Sequence, residues 1–113
     1  MKTEKKLGKI ESASFGLGGY QGAQLGLHLA FKMKGSGVCT SECYWDCSII
    51  EHTKRSEWTE EERSQSYSDI MRLVSKTLDE AKVGCVSKLR GVPVELEFEN
   101  RTLSSWRILT EVL

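Results

Sequence analysis

From Leu25 to Met33 every second residue is large and apolar: Leu25, Leu27, Leu29, Phe31 and Met33 alternate with Gly26, His28, Ala30 and Lys32. Only a pleated strand puts residues i and i+2 on one face, so the stretch predicts a half-buried strand. A second alternation sets Val92, Val94, Leu96 and Phe98 against Pro93, Glu95, Glu97 and Glu99. The sole proline near its start places the beginning of that strand there, or the strand at a sheet edge. Between the two runs the period changes. Tyr67, Ile70, Met71, Val74, Leu78 and Ala81 recur at three- and four-residue spacings, the stripe of an amphipathic helix. Thr59 can cap it, Glu62 completes a capping box, and Glu60, Glu61 and Glu62 sit at the positive end of its dipole. About 20 residues give a helix roughly 30 Å long, and Gly84 supplies a stop.

The remaining segments fill in around these three. Leu7 to Leu17 reads as an irregular or bulged strand, and Lys34-Gly35-Ser36-Gly37 as a turn into a third strand from Val38 to Ile50. Val86 to Leu89 makes a single turn. Glu99-Asn100-Arg101-Thr102 turns the chain into a last strand, Leu103 to Leu113. The order β-β-β-α-β-β predicts an α+β domain: an antiparallel sheet of about five strands with one long helix packed on one face. Its core is expected from Leu25, Leu27, Leu29, the Val92 to Phe98 face and the helix stripe.

The 113 residues suit a single domain. Sixteen basic and sixteen acidic residues cancel, which argues against duplex nucleic acid, whose phosphates draw affinity from excess Lys and Arg. Met1 to Lys6 is charged with no apolar run behind it, so neither a signal peptide nor a membrane span is expected. That points to the cytoplasm and to free thiols.

Five places carry candidate chemistry. Phe15-Gly16-Leu17-Gly18-Gly19-Tyr20-Gln21-Gly22 is dense in glycine, with an aromatic and an amide at its tip. Gly16-x-Gly18-x-x-Gln21 lacks the last glycine of the dinucleotide fingerprint and no helix follows, so a Rossmann turn is excluded. A tight or bulged connection explains it structurally. A loop whose amides face a phosphate, with Tyr20 stacking on a base and Gln21 reading an edge, is the functional alternative. Cys39, Cys43 and Cys47 recur every four residues ahead of His52. On a strand such cysteines lie about 13 Å apart, too far to share a zinc, and the spacing matches no zinc pattern, so no metal site is expected. Cys85 is expected in the core. His28 and His52 lack any recognisable nucleophile or acid partner, so no catalytic residue and no cofactor are expected. Finally, Trp106 and Arg107 point to opposite faces of a strand. If Trp106 packs inward, Arg107 projects outward, toward a phosphate or toward the Glu95 to Glu99 row. Trp58 reads as a packing anchor.

Five blocks in one order carry a resemblance over nearly the whole chain after Lys9: Phe15 to Gln21, Trp58-Thr59-Glu60-Glu61-Glu62-Arg63, Ala81 to Leu89, Gly91-Val92-Pro93-Val94-Glu95, and Ser105 to Leu113. Together they resemble a set of short proteins encoded by phages and prophages. Those proteins continue with Gly-Val and an aromatic loop where this chain has Gly37-Val38 and its cysteines, so nothing carries over to Cys39 through Cys47. In size and strand-helix plan the chain is more loosely similar to the Thoeris anti-defence sponges, which sequester cyclic ADP-ribose signals as oligomers. That likeness implies a homo-oligomer in the bacterial cytoplasm that binds a cyclic nucleotide without catalysis. Its ligand-binding set would be Phe15, Gly18, Gly19, Tyr20 and Gln21, with Arg107 from a neighbouring strand or subunit. A competing expectation is an inhibitor that binds a host defence protein, such as a CRISPR effector, through a sheet edge or the acidic strand face.

Overall fold

The computed structural model describes residues 3–18, 24–45 and 59–113, without the side chains of residues 41–45. Strands β1 (Thr3–Gly18), β2 (Gln24–Met33) and β3 (Ser36–Trp45) precede helix α1 (Glu60–Ala81). A 3-10 turn (Val86–Leu89), strands β4 (Pro93–Glu99) and β5 (Thr102–Ile108) and a last 3-10 turn (Thr110–Val112) follow. The strands form one antiparallel sheet in the order β3-β2-β1-β4-β5, so the α+β architecture read from the periodicities is the one found.

The long strand β1 is shared by two halves of the sheet. Thr3 to Lys9 pair with β4, whereas Gly8 and Lys9 onward to Gly18 pair with β2. The halves overlap only near Gly8 to Ile10, where Ile10 N–H also donates to Val92 O and Gly91 N–H to Ile10 O. A bulge between Ile10 and Ser12 inserts one residue. A bulge reverses which parity faces the core. Gly8 and Ile10 lie opposite the buried Met33 and Phe31, while beyond the bulge Ala13, Phe15 and Leu17 lie opposite Leu29, Leu27 and Leu25. That parity switch is why Leu7 to Leu17 shows no clean alternation.

The core face joins Ile10, Leu27, Leu29, Phe31 and Met33 to Val92, Val94, Leu96, Phe98 and Ile108, closed by Ala81 and Leu89. Trp106 points inward, its ring 5.2 Å from that of Phe31. Helix α1 packs across this face, touching β2, β3, β5 and the first 3-10 turn. Thr59 caps it: its hydroxyl accepts from Glu62 N–H at 3.1 Å, and the Glu62 carboxylate accepts from that hydroxyl at 3.3 Å.

Four expectations are corrected. Ile70, Thr77 and Ala81 form the buried line of α1, whereas Met71 is 59% exposed, one residue off the line and rotated about 100° from Ile70. Thr77 reaches the interior because its hydroxyl donates to Leu73 O at 2.7 Å and so needs no other partner. The helix stops at Lys82 rather than Gly84: Lys82 takes φ 58, its N–H bonds Asp79 O, and Val83 N–H bonds Leu78 O, a Schellman ending. Cys85 is exposed at the start of the 3-10 turn, 3.3 Å from the Ser87 hydroxyl, rather than in the core. The last strand ends at Ile108, and the chain then coils back through Thr110–Val112. The far end expected for the third strand, beyond Trp45, lies outside the described residues, as do Trp58, His52 and Cys47.

Two turns show where the chain accepts strain. Gly35 takes φ 80, the value required at the second central position of a type II turn. In the β4–β5 hairpin Asn100 (φ 51) and Arg101 (φ 68) both take left-handed conformations between the paired Glu99 and Thr102, a type I′ geometry that favours Asn-Gly. Replacing Arg101 or Lys82 by glycine should therefore raise stability by about 0.5–1 kcal/mol each, and replacing either by valine should lower it. The midpoints of urea unfolding read both signs.

Candidate functional site

At its far end the β1–β2 hairpin carries Phe15 and Gly18, while Gly19, Tyr20 and Gln21 lie outside the described residues. Phe15 and Leu17 point to the core face, opposite Leu27 and Leu25, yet remain 44% and 53% exposed. Gly16 and Gly18 face the other way, opposite Gly26 and Gln24. On that open face the ring of His28 lies across β1, with Nε2 3.2 Å from Gly16 O and 3.2 Å from Gln24 O. Both partners are carbonyl oxygens, so Nε2 carries a proton and donates. A Cβ on Gly18 would stand 3.0 Å from His28 Nε2, so this glycine makes room for the ring. Gly18 thus has a packing role at the hairpin end, one that the spacing of the glycines does not reveal.

The hairpin end also exposes backbone. Beyond Ile10, strand β1 is paired on its β2 side only, because β4 begins opposite Lys9. Among the described residues no strand borders Ser12 to Gly18 on the other side. The first 3-10 turn lies against β1, but among the described residues the Ser12 to Gly18 edge pairs with no second strand, and such an edge with two exposed apolar side chains can accept an added strand.

Arg107 stands elsewhere. Its row across the sheet is Leu7, Glu95, Arg107, and Leu7 is eight positions from Phe15 along β1, about 26 Å at strand rise. One chain therefore does not bring Arg107 to the glycine loop. Instead its guanidinium holds two carboxylates: Nε donates to Glu95 Oε1 at 3.2 Å, and Nη1 and Nη2 donate to Glu111 Oε1 and Oε2 at 3.0 and 2.9 Å. This bidentate clasp ties the C-terminal 3-10 turn to β5. Hydrogen bonding to Arg107 lowers the Glu111 pKa from 4.5 to about 2, and the same bonds push the arginine up.

No group of three or more His, Cys, Asp or Glu side chains suited to a metal ion occurs among the described residues. Cys39 and Cys43 occupy β3 opposite Ala30 and Gly26, in the strand spacing that keeps them about 13 Å apart. No described helix is long and apolar enough to cross a membrane. Two clefts flank the core. One of about 330 Å³ runs between Leu73, Lys76, Thr77 and Glu80 of α1 and Ser104 to Ile108 of β5. Another of about 380 Å³ is bordered by Lys6, Met33, Val38, Phe98 and Arg101.

No protein-family model, curated protein or solved structure matches the chain.

The clasp has a defined acid limit. Because the folded carboxyl binds its proton less readily than the unfolded one, its contribution is complete above about pH 4.5 and is lost as pH falls through about 2. In an NMR titration the Glu111 carboxyl should show a midpoint near 2, rising toward the ordinary carboxylate range in Arg107→Gln.

Proposed function

We propose that this protein is a non-catalytic inhibitor that binds a protein of a bacterial defence complex, such as a CRISPR effector, through the free edge of β1. The observation that carries the reading is the Ser12 to Gly18 edge with its exposed Phe15 and Leu17. An extended segment of the partner would add backbone hydrogen bonds to that edge and cover the two apolar side chains. The resemblance to phage proteins favours this class of partner, with the bacterial cytoplasm as the place of action. Arg107 has no part in this contact, since Glu95 and Glu111 already satisfy it.

Sequestration of a cyclic nucleotide is the second reading. It is favoured by two rings bracketing the hairpin end: Phe15 exposed on one face and His28 lying against Gly18 on the other. Tyr20 and Gln21 belong to the connection between them. Under this reading Arg107 reaches the phosphates only from a second copy, and must first leave two carboxylates.

The two readings separate in one preparation. Protein purified from a bacterial host carrying defence systems is crosslinked, and a parallel sample is heat-denatured and its supernatant analysed by mass spectrometry. A crosslinked defence protein, reduced about tenfold or more by Phe15→Asp or Leu17→Asp with unchanged circular dichroism, is the expected result. Recovery of equimolar cyclic nucleotide, with no captured protein, would overturn it in favour of sequestration.

A further inference from the structure

At the end of β1 away from Phe15 the sheet has a notch. Strand β2 ends at Met33, opposite Gly8, so among the described residues Thr3 to Leu7 pair with β4 alone. Beside them lies the cleft of about 380 Å³, bordered by Glu4 and Lys6 of β1, Met33 and Val38 of the β2–β3 hairpin, and Phe98 and Arg101 of the β4–β5 hairpin. A second hollow of about 320 Å³ shares Glu4, Phe98 and Arg101 with it. The floor is apolar, since Met33 and Phe98 belong to the core and Val38 packs against it. Two cations stand at the rim. Lys6 Nζ lies 5.7 Å from the Phe98 ring centroid and 4.0 Å from Glu4 Oε1, with 44% of the lysine side chain exposed. The Arg101 guanidinium has neither a hydrogen bond nor an ion pair among the described residues. Arg101 also holds φ 68, a left-handed conformation that glycine takes at lower cost. A turn that keeps arginine there forgoes stability, and what it retains is an unengaged guanidinium bordering both hollows.

We propose that this notch binds a small monocarboxylic acid with an apolar body. The Arg101 guanidinium is a planar fork, free to donate to both carboxylate oxygens, and the Lys6 ammonium adds further donors from the β1 side. Charge selects a carboxylate over a phosphate. Lys6 and Arg101 bring two positive charges to the cleft and Glu4 one negative, so the rim matches a monoanion, and the Glu4 carboxylate repels a dianion. Met33 and Val38 cover the apolar body, taking it out of water against the exposed edge of the core. A cleft of about 380 Å³ stands at the small end of the range for organic ligands, which suits a single ring or a short branched chain. Lys6 is nine positions along β1 from Phe15, about 30 Å at strand rise, so this site stands independently of the partner contact proposed above.

Isothermal titration calorimetry of the full chain with phenylacetate tests it, against phenylacetamide, phenyl phosphate and an N-acetylated tetrapeptide ending in Phe. Phenylacetate should bind saturably at millimolar concentration, with the uncharged amide and the dianionic phosphate each about tenfold weaker or more. The peptide carries the same carboxylate on a longer chain and should bind no more tightly than phenylacetate. Arg101→Gly separates binding from folding, because it relaxes the turn: the variant should unfold at a higher urea concentration than wild type and yet bind phenylacetate about tenfold more weakly. Lys6→Gln should weaken binding in the same direction. The proposal is overturned by the absence of saturable phenylacetate binding, or by an Arg101→Gly or Lys6→Gln protein that binds like wild type. Amide or phosphate binding as tight as that of the acid also overturns it, and tighter binding of the peptide reassigns the notch to a chain terminus.

Discussion

The structure depends on how β1 is shared. Its 16 residues run through both halves of the sheet, and among the described residues only the stretch around Gly8 to Ile10 is paired on both sides. There Ile10 is 1% exposed and meets Phe31 from one half, and its backbone is bonded to Gly91 and Val92 from the other. A bulge at this junction lets the strand keep an apolar face inward on both sides of it, although the parity of the sequence changes. Were Glu11 paired regularly with Ala30 instead of bulged out, Ala13, Phe15 and Leu17 would fall opposite His28, Gly26 and Gln24, splitting the hairpin's apolar surface across two faces.

The offset also decides where the molecule can make contacts. Because β4 starts opposite Lys9, the far part of β1 has no strand partner on that side among the described residues, and the apolar side chains that the bulge directs to the core face extend beyond the buried core. At the other end of the sheet β5 is a short edge strand flanked by a charged helix. These are different kinds of surface. The first exposes Phe15 and Leu17, while the second sets Lys76 and Glu80 of α1 across a cleft from Ser104 to Ile108.

Much of the fold was legible in the residues themselves. The alternations from Leu25 to Met33 and from Val92 to Phe98 have one periodic solution each, and Thr59 with Glu62 marks the helix start through a local hydrogen bond. The elements misjudged from sequence were those set by non-local or weakly encoded terms. Lys82 ends the helix because its carbonyls are satisfied by a Schellman ending, even though lysine does not favour the left-handed conformation. Thr77 is inside and Met71 outside because the sheet fixes the rotation of the helix, and hydropathy alone favours the reverse. The last strand stops where Arg107 recruits Glu111, a contact four residues away that ends the extended conformation.

The sequence by itself determined the element types, their order and that Trp106 and Arg107 take opposite faces of their strand, since each follows from local periodicity and the geometry of neighbouring residues. It also supplied the glycine-dense stretch from Phe15 to Gly22. Tertiary structure alone decided that β1 lies at the centre of the sheet, that Gly18 seats His28, and that Arg107 sits about 26 Å along the sheet from Phe15 with two carboxylates around it. Strand order and register are set by long-range pairing, which no local pattern encodes, so residues joined in a single candidate pocket by sequence can be carried to separate ends of one sheet.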